Sequence, residues 1–287
     1  IAGMTVMQNV LKEIQRDMLE RLGISLQFNG KMAHVPFGVS TQNYDNYNKA
    51  TARKILDLPE NAPIILYIGR FSQYDKMDIA PLLLAFKSVL NNYQGNNKPY
   101  LVLAGEDTRH QYSQDLMKQA ITLDIVDRVI FRPNFPPVVK EAFYTAADIF
   151  CSPSDNVQET FGVSIIEAMA AGLPVVASDW DGYKELVEEG KTGFKIPTYW
   201  IKNDDEETSL CSVAEIRIPH FFLGQSVAVD VNRMAQAIMD ILSDDNLRKK
   251  LGDNARLAAK QKYDWKVVIG QYEHIWSEQI EEMEKWK

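Results

Sequence analysis

Two glutamates near the middle of the chain are the residues best placed to do chemistry. Glu159 and Glu167 lie in the stretch QETFGVSIIEAMAAGLPVVASD, residues 158–179, with seven residues between them. From Gly162 to Gly172 this stretch has the composition of a buried helix, and Glu167 lies in its middle. An unpaired carboxylate in an apolar environment is costly, so we expect Glu167 to serve a ligand. The alternative is that Glu167 caps a helix or pairs with a nearby lysine.

The start of this expected helix suggests a phosphate site. Helix N-termini present free N–H groups to anions, and glycine at position 162 allows a ligand to approach the backbone closely. Glu167 lies ~7 Å deeper along the helix, at 1.5 Å per residue. A diphosphate at the tip would put a ribose beside Glu167, whose carboxylate can accept two hydrogen bonds from a vicinal diol. Glu159 would face the group beyond the phosphates, so the pair fits a nucleotide sugar.

Two cations follow the first apolar run of the chain, in the sequence GRFSQYDK. They are Arg70 and Lys76. In an open parallel sheet, the loops after the strands meet at one edge and form the ligand site. We therefore expect both cations to complete the phosphate site, although a solvated surface explains these two residues alone equally well. The two common nucleotide loops, GxGxxG and GxxxxGK(S/T), are absent from the sequence.

Short apolar runs alternate with helical patterns along most of the chain, which predicts βαβ units. Continuous apolar runs bounded by Pro or Gly are typical of strands buried on both faces. The expected fold class is α/β, a Rossmann-like parallel sheet covered by helices, with a helical C-terminal segment from residue 230. Strands are expected at residues 63–69, 100–105, 128–132, 148–152, 174–178 and 193–197.

The rest of the chain is organised around this core. Residues 4–22 have helical spacing, and residues 33–36 suggest a short strand. Residues 41–62 are polar and suggest a linker with one short helix. Residues 198–227 break the alternation and carry the acidic run NDDEE, so we expect a partly exposed insertion there.

Composition narrows the classes of function. With 31 basic and 39 acidic residues the net charge is −8, which argues against a general nucleic-acid binder. The two cysteines give no disulfide framework, and no apolar run reaches ~18 residues. An intracellular protein is expected, with no signal peptide at its start. The first residue is not methionine, so the chain is expected to be part of a longer protein.

The block ETFGVSIIEAMAAGLPVVASD resembles the signature of the retaining glycosyltransferases of family 4, which have the GT-B fold. Four further blocks are similar to family segments in the same order: HVPFGVS, ILYIGRFS with the lysine that follows it, AADIFCSPS and GYKELVEEGKTGF. The resemblance covers residues of about 33–197 and 228–275. It implies that this chain corresponds mainly to the C-terminal, donor-binding half of such an enzyme.

The resemblance implies roles for single residues. Arg70 and Lys76 would hold the donor diphosphate, and Glu159 would contact the hydroxyls of the donor sugar. Glu167 would bind the ribose, and Asn134 would lie near the base. The remaining donor contacts would come from Thr160, Phe161, Gly162 and Val163. No metal cofactor is expected, and the four histidines are scattered.

The resemblance also implies a domain organisation. Residues 1–40 would be the last helix and strand of an N-terminal acceptor-side domain, together with the crossing between domains. Residues 41–287 would form the nucleotide-sugar-binding domain, interrupted by the insertion. The family's common Gly after the lysine is replaced by Met77, and its GDGP-type turn by GEDT.

The expected activity is transfer of a sugar from a nucleotide diphosphate, most simply a UDP-sugar, to a hydroxyl of a sugar or lipid-linked acceptor. Family members often act in surface polysaccharide or glycolipid synthesis, which implies a cytoplasmic protein with peripheral membrane contact through the other domain. Two alternatives stay open. The chain could bind the donor without transferring the sugar, or it could be another GT-B enzyme such as a nucleotide-sugar epimerase.

Overall fold

A computed structural model describes residues 4–25, 33–74, 76–107, 111–157, 159–201 and 223–285. Its centre is a six-stranded parallel sheet with the order β3-β2-β1-β4-β5-β6. The strands are β1 (Ile64–Ile68), β2 (Tyr100–Gly105), β3 (Val129–Pro133), β4 (Ile149–Ser152), β5 (Val175–Ser178) and β6 (Gly193–Ile196). Each of the six expected strands is confirmed to within one residue at either end.

Helices cover both faces of this sheet. The helices are α1 (Met4–Leu22), α2 (Lys49–Ile55), α3 (Ala80–Asn92), α4 (Tyr112–Thr122), α5 (Lys140–Ala146), α6 (Val163–Ala170), α7 (Tyr183–Leu186), α8 (Val231–Ser243), α9 (Asp245–Ala258) and α10 (Trp265–Glu284). The predicted Rossmann-like α/β fold and helical C-terminal segment are therefore confirmed.

The apolar runs form two cores because alternate side chains of a strand point to opposite faces. In β1, Ile64, Leu66 and Ile68 pack on one side, with α2, α5 and α6. Ile65 and Tyr67 pack on the other, with α3, α4 and α8. All five residues of β1 are buried, which explains why the sequence shows a continuous apolar run rather than an alternation.

The strand order reverses at β1, which lies between β2 and β4. Connections on the two sides of this point run over opposite faces of the sheet, so a crevice opens beyond the carboxyl ends of the strands there. The loops that follow β1, β2 and β4 are the ones in which the sequence places Arg70, Glu106 and Glu159.

The interpretation of residues 41–62 as a linker needs a correction. Tyr44, Ala52, Leu56 and Leu58 are buried in the core that includes α5 and α6. The ring of Tyr44 packs edge-on against that of Tyr144, with centroids 5.8 Å apart. The polar composition of this segment hid a few apolar side chains at helical spacing, and these dock it onto the sheet domain.

The expected strand at residues 33–36 is absent, because no strand pairs with this stretch in the described part of the chain. Residues 33–40 instead run along the junction between α9 and α10. The N–H of Val39 donates to the carbonyl of Tyr263 at 2.7 Å, and the N–H of Trp265 donates to the carbonyl of Val39 at 3.2 Å. No described helix has both the length and the apolar character needed to cross a membrane.

The ends of the predicted insertion form a hairpin stem. Strand β7 (Thr198–Trp200) pairs antiparallel with β8 (Val227–Val229), so both ends of the insertion leave the domain side by side. Residues 202–222, with the acidic run, lie outside the described residues.

One ion pair links four elements at the amino ends of β1 and β4. The guanidinium of Arg53 on α2 donates to Asp148 Oδ2 at 2.8 Å, and to the carbonyls of Ala146 and Glu60 at 3.0 and 2.6 Å. Asp148 Oδ2 also accepts the backbone N–H of Ile64, the first residue of β1, at 2.7 Å. The pair therefore holds α2 and α5 to the start of β1 and β4.

We expect Arg53→Met to lower the free energy of unfolding by about 2 kcal/mol, because it removes the buried cation of Asp148 and leaves the more exposed Lys49, 2.7 Å from Asp148 Oδ1, to balance the carboxylate. Lys54→Met, at the exposed neighbouring position, should change it by less than about 0.5 kcal/mol. Urea denaturation of both variants measures the difference. Equal stability of the two variants would contradict the proposed importance of the pair.

Candidate functional site

A cavity of about 560 Å³ opens at the carboxyl ends of β1 and β2. It lies at the reversal of strand order, where ligands of open α/β sheets bind. Its walls come from the loops after β1, β2 and β4, the start of α6 and one side of α5. The lining residues are Phe37, Ile68, Gly69, Arg70, Lys76, Gly105, Glu106, Phe135, Lys140, Tyr144, Glu159, Thr160, Phe161, Gly162, Val163, Ser164 and Glu167.

Two glycines make the floor of this cavity possible. Gly105 ends β2 with φ +151°, and a Cβ atom there would overlap the carbonyl oxygen of Gly69 at the end of β1. Any side chain would therefore force the two strand ends apart. The close approach leaves backbone, rather than side chains, beneath a ligand.

Glu159 and Lys76 form an ion pair at one end of the cavity. Their side chains are only 11% and 18% exposed, so the pair is poorly screened by water. The loop after β4 carries Glu159, and the hydroxyl of Ser154 in the same loop lies 3.5 Å from its carboxylate. The Lys76 ammonium lies 6.0 Å from the ring centroid of Tyr183. Both residues thus lie where the sequence predicted an anion and sugar site.

Tyr183 packs beside the Glu159–Lys76 pair. Its hydroxyl lies 3.0 Å from the hydroxyl of Ser152, and its ring is fully buried. Burial raises the pKa of the Tyr183 phenol well above its ordinary value, and the charge of Glu159 raises it further. The phenol is therefore neutral at physiological pH.

Glu167 has two partners on α5. Its Oε1 accepts from Lys140 Nζ at 2.6 Å and its Oε2 accepts from the Tyr144 hydroxyl at 2.8 Å. Burial first, and the charge of Glu167 second, raise the pKa of Tyr144, which keeps its proton available for this bond. The lysine partner named as the alternative is observed, and binding of a ligand by Glu167 stays a prediction. The carboxylate nevertheless lines the cavity, with 13% of its side chain exposed.

The tip of α6 opens into the cavity between the two glutamates. Gly162 caps the helix with φ +105°, and a Cβ atom there would lie 2.6 Å from the Tyr183 ring. Only glycine fits this turn. The first N–H groups of a helix have no partner within it, so those at Val163 and Ser164 are available to an anion in the cavity.

The other predicted site residues lie around this tip. Arg70 is exposed at the rim, Phe161 is buried beneath Phe37 with ring centroids 5.3 Å apart, and Thr160 lines the wall. Asn134 follows the last residue of β3 and lies outside the lining, and its side-chain oxygen accepts the N–H of Asp107 at 2.8 Å. The structure brings the other predicted residues together, and it places Asn134 one residue from the lining residue Phe135.

Lys140 and Tyr144 are the residues that sequence reasoning missed. They lie four positions apart on α5, so they share one face of that helix, and this spacing was the available signal. Glu106, in the turn after β2, also lines the cavity. The lining contains three cations and three carboxylates, which balance: Arg70, Lys76 and Lys140 against Glu106, Glu159 and Glu167.

The residues of this cavity can hold an elongated anion through backbone N–H groups and side-chain cations. Backbone N–H groups and two cations converge at the helix tip, and a carboxylate lies at either end. In the described residues, no three His, Cys, Asp or Glu side chains are grouped closely enough to hold a metal ion.

Comparison with known proteins agrees with this geometry. The model of the family Glycosyl transferases group 1 matches residues 48–206, which is more than half of the chain. D-inositol 3-phosphate glycosyltransferase of Acidothermus cellulolyticus is 33% identical over 165 residues, which cover 56% of this chain and 36% of that protein. Phosphatidyl-myo-inositol mannosyltransferase of Mycobacterium leprae is 26% identical over 281 residues, which cover 95% of this chain and 63% of that protein. The chain therefore spans less than two thirds of both relatives.

A solved structure shows the same fold. The Anabaena protein HepE, in complex with UDP and glucose, superposes with a TM-score of 0.62 at 22% identity, over 86% of this chain and 56% of HepE. The predicted GT-B type of fold is confirmed for the part of the chain that superposes.

Asp155, in the loop that carries Glu159, generates a prediction about pH. Burial raises the pKa of Asp155 to about 7, the charge of Asp78 adds to the rise, and the N–H of Asp78, which donates to Asp155 Oδ1, opposes it. A carboxyl whose pKa is raised by folding binds more protons in the folded state. Stability should therefore fall as the pH rises from about 4 to 7.

The variant Asp155→Asn keeps the acceptor for Asp78 but cannot ionise. Between pH 5 and pH 8 we expect the wild type to lose about 1–3 kcal/mol more of its free energy of unfolding than Asp155→Asn does. Urea unfolding of both proteins at several pH values measures this difference. A difference that stays constant with pH would contradict the shifted pKa.

Proposed function

This chain belongs to the glycosyl transferases group 1 family, and we propose that it is the donor-binding part of a retaining transferase that uses a nucleotide-diphosphate sugar. The observation that carries the proposal is the position of the α6 tip between two partly buried carboxylates, with cations around it. Anion binding at the tip leaves one carboxylate for each end of the ligand. A nucleotide sugar has hydroxyl groups at both ends of its diphosphate.

The diphosphate would lie at the α6 tip between Arg70 and Lys76. Lys76 is paired with Glu159, so it would be shared between that carboxylate and a phosphate oxygen. As the bond between the sugar and the phosphate breaks, negative charge grows on the leaving oxygen. Fixed cations and N–H groups in a site that excludes water stabilise that charge most strongly. The same phosphate can take the proton of the attacking acceptor hydroxyl, which is consistent with retention of configuration.

The nucleoside would lie toward α5. Glu167 would accept hydrogen bonds from the ribose hydroxyls in place of, or in addition to, those from Lys140 and Tyr144. The base would then lie near Asn134 and Phe135 at the end of β3. At the other end, Glu159 would bind the sugar hydroxyls, with Thr160, Phe161, Gly162 and Val163 completing the donor contacts.

Two similar proteins support the proposed classes of donor and acceptor. One similar protein is named for transfer to phosphatidyl-myo-inositol, and HepE was solved with UDP and glucose. We propose a UDP-sugar as the donor, no metal cofactor, and a glycolipid or surface polysaccharide as the product. In this scheme residues 1–40 belong to an acceptor-side domain, and residues 41–287 form the donor domain.

The second candidate is donor binding without transfer by this chain alone. The coverage of only 63% of a relative's length favours it, because an acceptor site formed by further chain would be needed for turnover. Product analysis separates the possibilities. A nucleotide-sugar epimerase would change the sugar without moving it, whereas a transferase would consume the nucleotide sugar only when acceptor is added.

Nucleotide binding is the first prediction to test. We expect one of UDP, GDP and ADP to stabilise the chain by about 2.7 kcal/mol at ~100 times its dissociation constant. Glu167→Ala should lose most of this gain, while Glu273→Ala on the exposed side of α10 should keep it. Each variant is compared with its own ligand-free stability in thermal unfolding. Equal stabilisation of both variants would remove Glu167 from the ribose site.

Arg70 gives the clearest test of the charge argument. Because it is exposed, Arg70→Ala should cost about 1 kcal/mol of stability or less. Turnover should fall by about 10²–10³-fold if Arg70 stabilises the leaving diphosphate. Sugar transfer by a protein that contains this chain measures the effect, with Arg21→Ala on α1 as the matched control. Full turnover in Arg70→Ala would show that the role is wrong. Lys76→Ala is less clear because it also leaves Glu159 unpaired.

A further inference from the structure

The loop after β5 lies directly beside the loop that carries Glu159. We propose that Trp180 in this loop, supported by Trp200 of the β7–β8 hairpin, positions Glu159 and so sets how strongly the site holds the sugar part of its donor. The inference rests on the proposed function. It assigns a role to the hairpin stem, which the donor-binding scheme above does not use.

A shared carbonyl makes the connection. The indole Nε1–H of Trp180 donates to the carbonyl of Asn156 at 2.8 Å. The backbone N–H of Glu159 donates to the same carbonyl at 3.3 Å. The Trp180 side chain therefore holds the acceptor that fixes the backbone of Glu159. Loss of the indole N–H would remove the shorter of these two hydrogen bonds to the carbonyl of Asn156.

A second contact joins the same two loops. The N–H of Gly182 donates to the carbonyl of Glu159 at 3.0 Å. A Cβ atom at Gly182 would overlap the carbonyl group of Thr160, so the two backbones are in direct contact. Movement of the loop at residues 180–182 must therefore move Glu159 and Thr160.

Trp200 supports Trp180 from the hairpin. The two indole rings meet edge to face, with centroids 5.8 Å apart and an interplanar angle of 72°. Trp200 Nε1–H donates to Ser226 Oγ at 2.9 Å, across the hairpin from β7 to the turn before β8. Trp200 itself is 52% exposed, so its edge-to-face contact with Trp180 lies near the surface of the described residues.

The effect should be confined to one end of the cavity. Glu167, at the proposed nucleoside end, is held by Lys140 and Tyr144 of α5, which is a different element from the loop that carries Trp180. Weaker positioning of Glu159 should therefore reduce the extra affinity that the sugar adds and leave nucleotide binding unchanged.

The test compares Trp180→Phe, which keeps an aromatic ring against Trp200 but has no N–H donor, with the wild type. Trp276→Phe on α10, whose ring packs on Tyr272 at 5.8 Å, is the matched control. Calorimetric titration of each chain with UDP, GDP and ADP, and with UDP-glucose, UDP-N-acetylglucosamine, GDP-mannose and ADP-glucose, gives the affinity ratio of sugar to nucleotide. Hydrogen exchange of the peptide that covers residues 153–160 reports on the loop itself.

For Trp180→Phe we expect an unchanged nucleotide affinity, a roughly three- to tenfold loss of the sugar-to-nucleotide ratio, and faster exchange in residues 153–160. Glu159→Gln should show the same loss of ratio, and the double variant should lose no more than either alone. Unchanged exchange, or an unchanged ratio despite faster exchange, would overturn the inference. If the wild type binds none of the seven compounds, the proposed function fails, and the inference fails with it.

Discussion

The architecture depends on the reversal of strand order at β1. Parallel strands are buried on both faces, so their polar neighbours can lie only beyond the strand ends. At the reversal, the connections on either side cover opposite faces, and the carboxyl ends of β1, β2 and β4 surround one open crevice. Residues that are distant in sequence, such as Lys76 and Glu159, meet there because the order of the strands brings their loops together.

Charge neutralisation shapes this crevice before any ligand enters. Each buried glutamate is matched by a lysine, Glu159 by Lys76 and Glu167 by Lys140. The Glu159–Lys76 pair is the less exposed of the two, so separating it would leave a poorly solvated charge, whereas Lys140 is 40% exposed. A diphosphate would add negative charge to side chains whose charges already balance. Its attraction would therefore come from the backbone N–H groups of α6, and from lysines that exchange a glutamate oxygen for a phosphate oxygen.

The strands and the loop before α6 could be predicted from the sequence because both depend on local pattern. Short continuous apolar runs bounded by Pro or Gly predict buried strands, and the seven-residue spacing of Glu159 and Glu167 puts them on either side of one helix tip. The partners of these glutamates could not be predicted in the same way. Lys140 and Tyr144 belong to a helix about 25 residues away, and only the packing of α5 against α6 brings them to Glu167. The same limit explains the misread segment 41–62, whose few apolar residues are buried by a distant helix.

The hairpin stem of β7 and β8 has a consequence for how this domain can diversify. Because the two strands leave the sheet domain paired and adjacent, the chain between them closes a loop whose entropic cost grows only with the logarithm of its length. Segments of very different size can therefore be exchanged at this point without disturbing the six-stranded sheet. The stem is therefore a position at which a segment can be exchanged while the sheet stays intact.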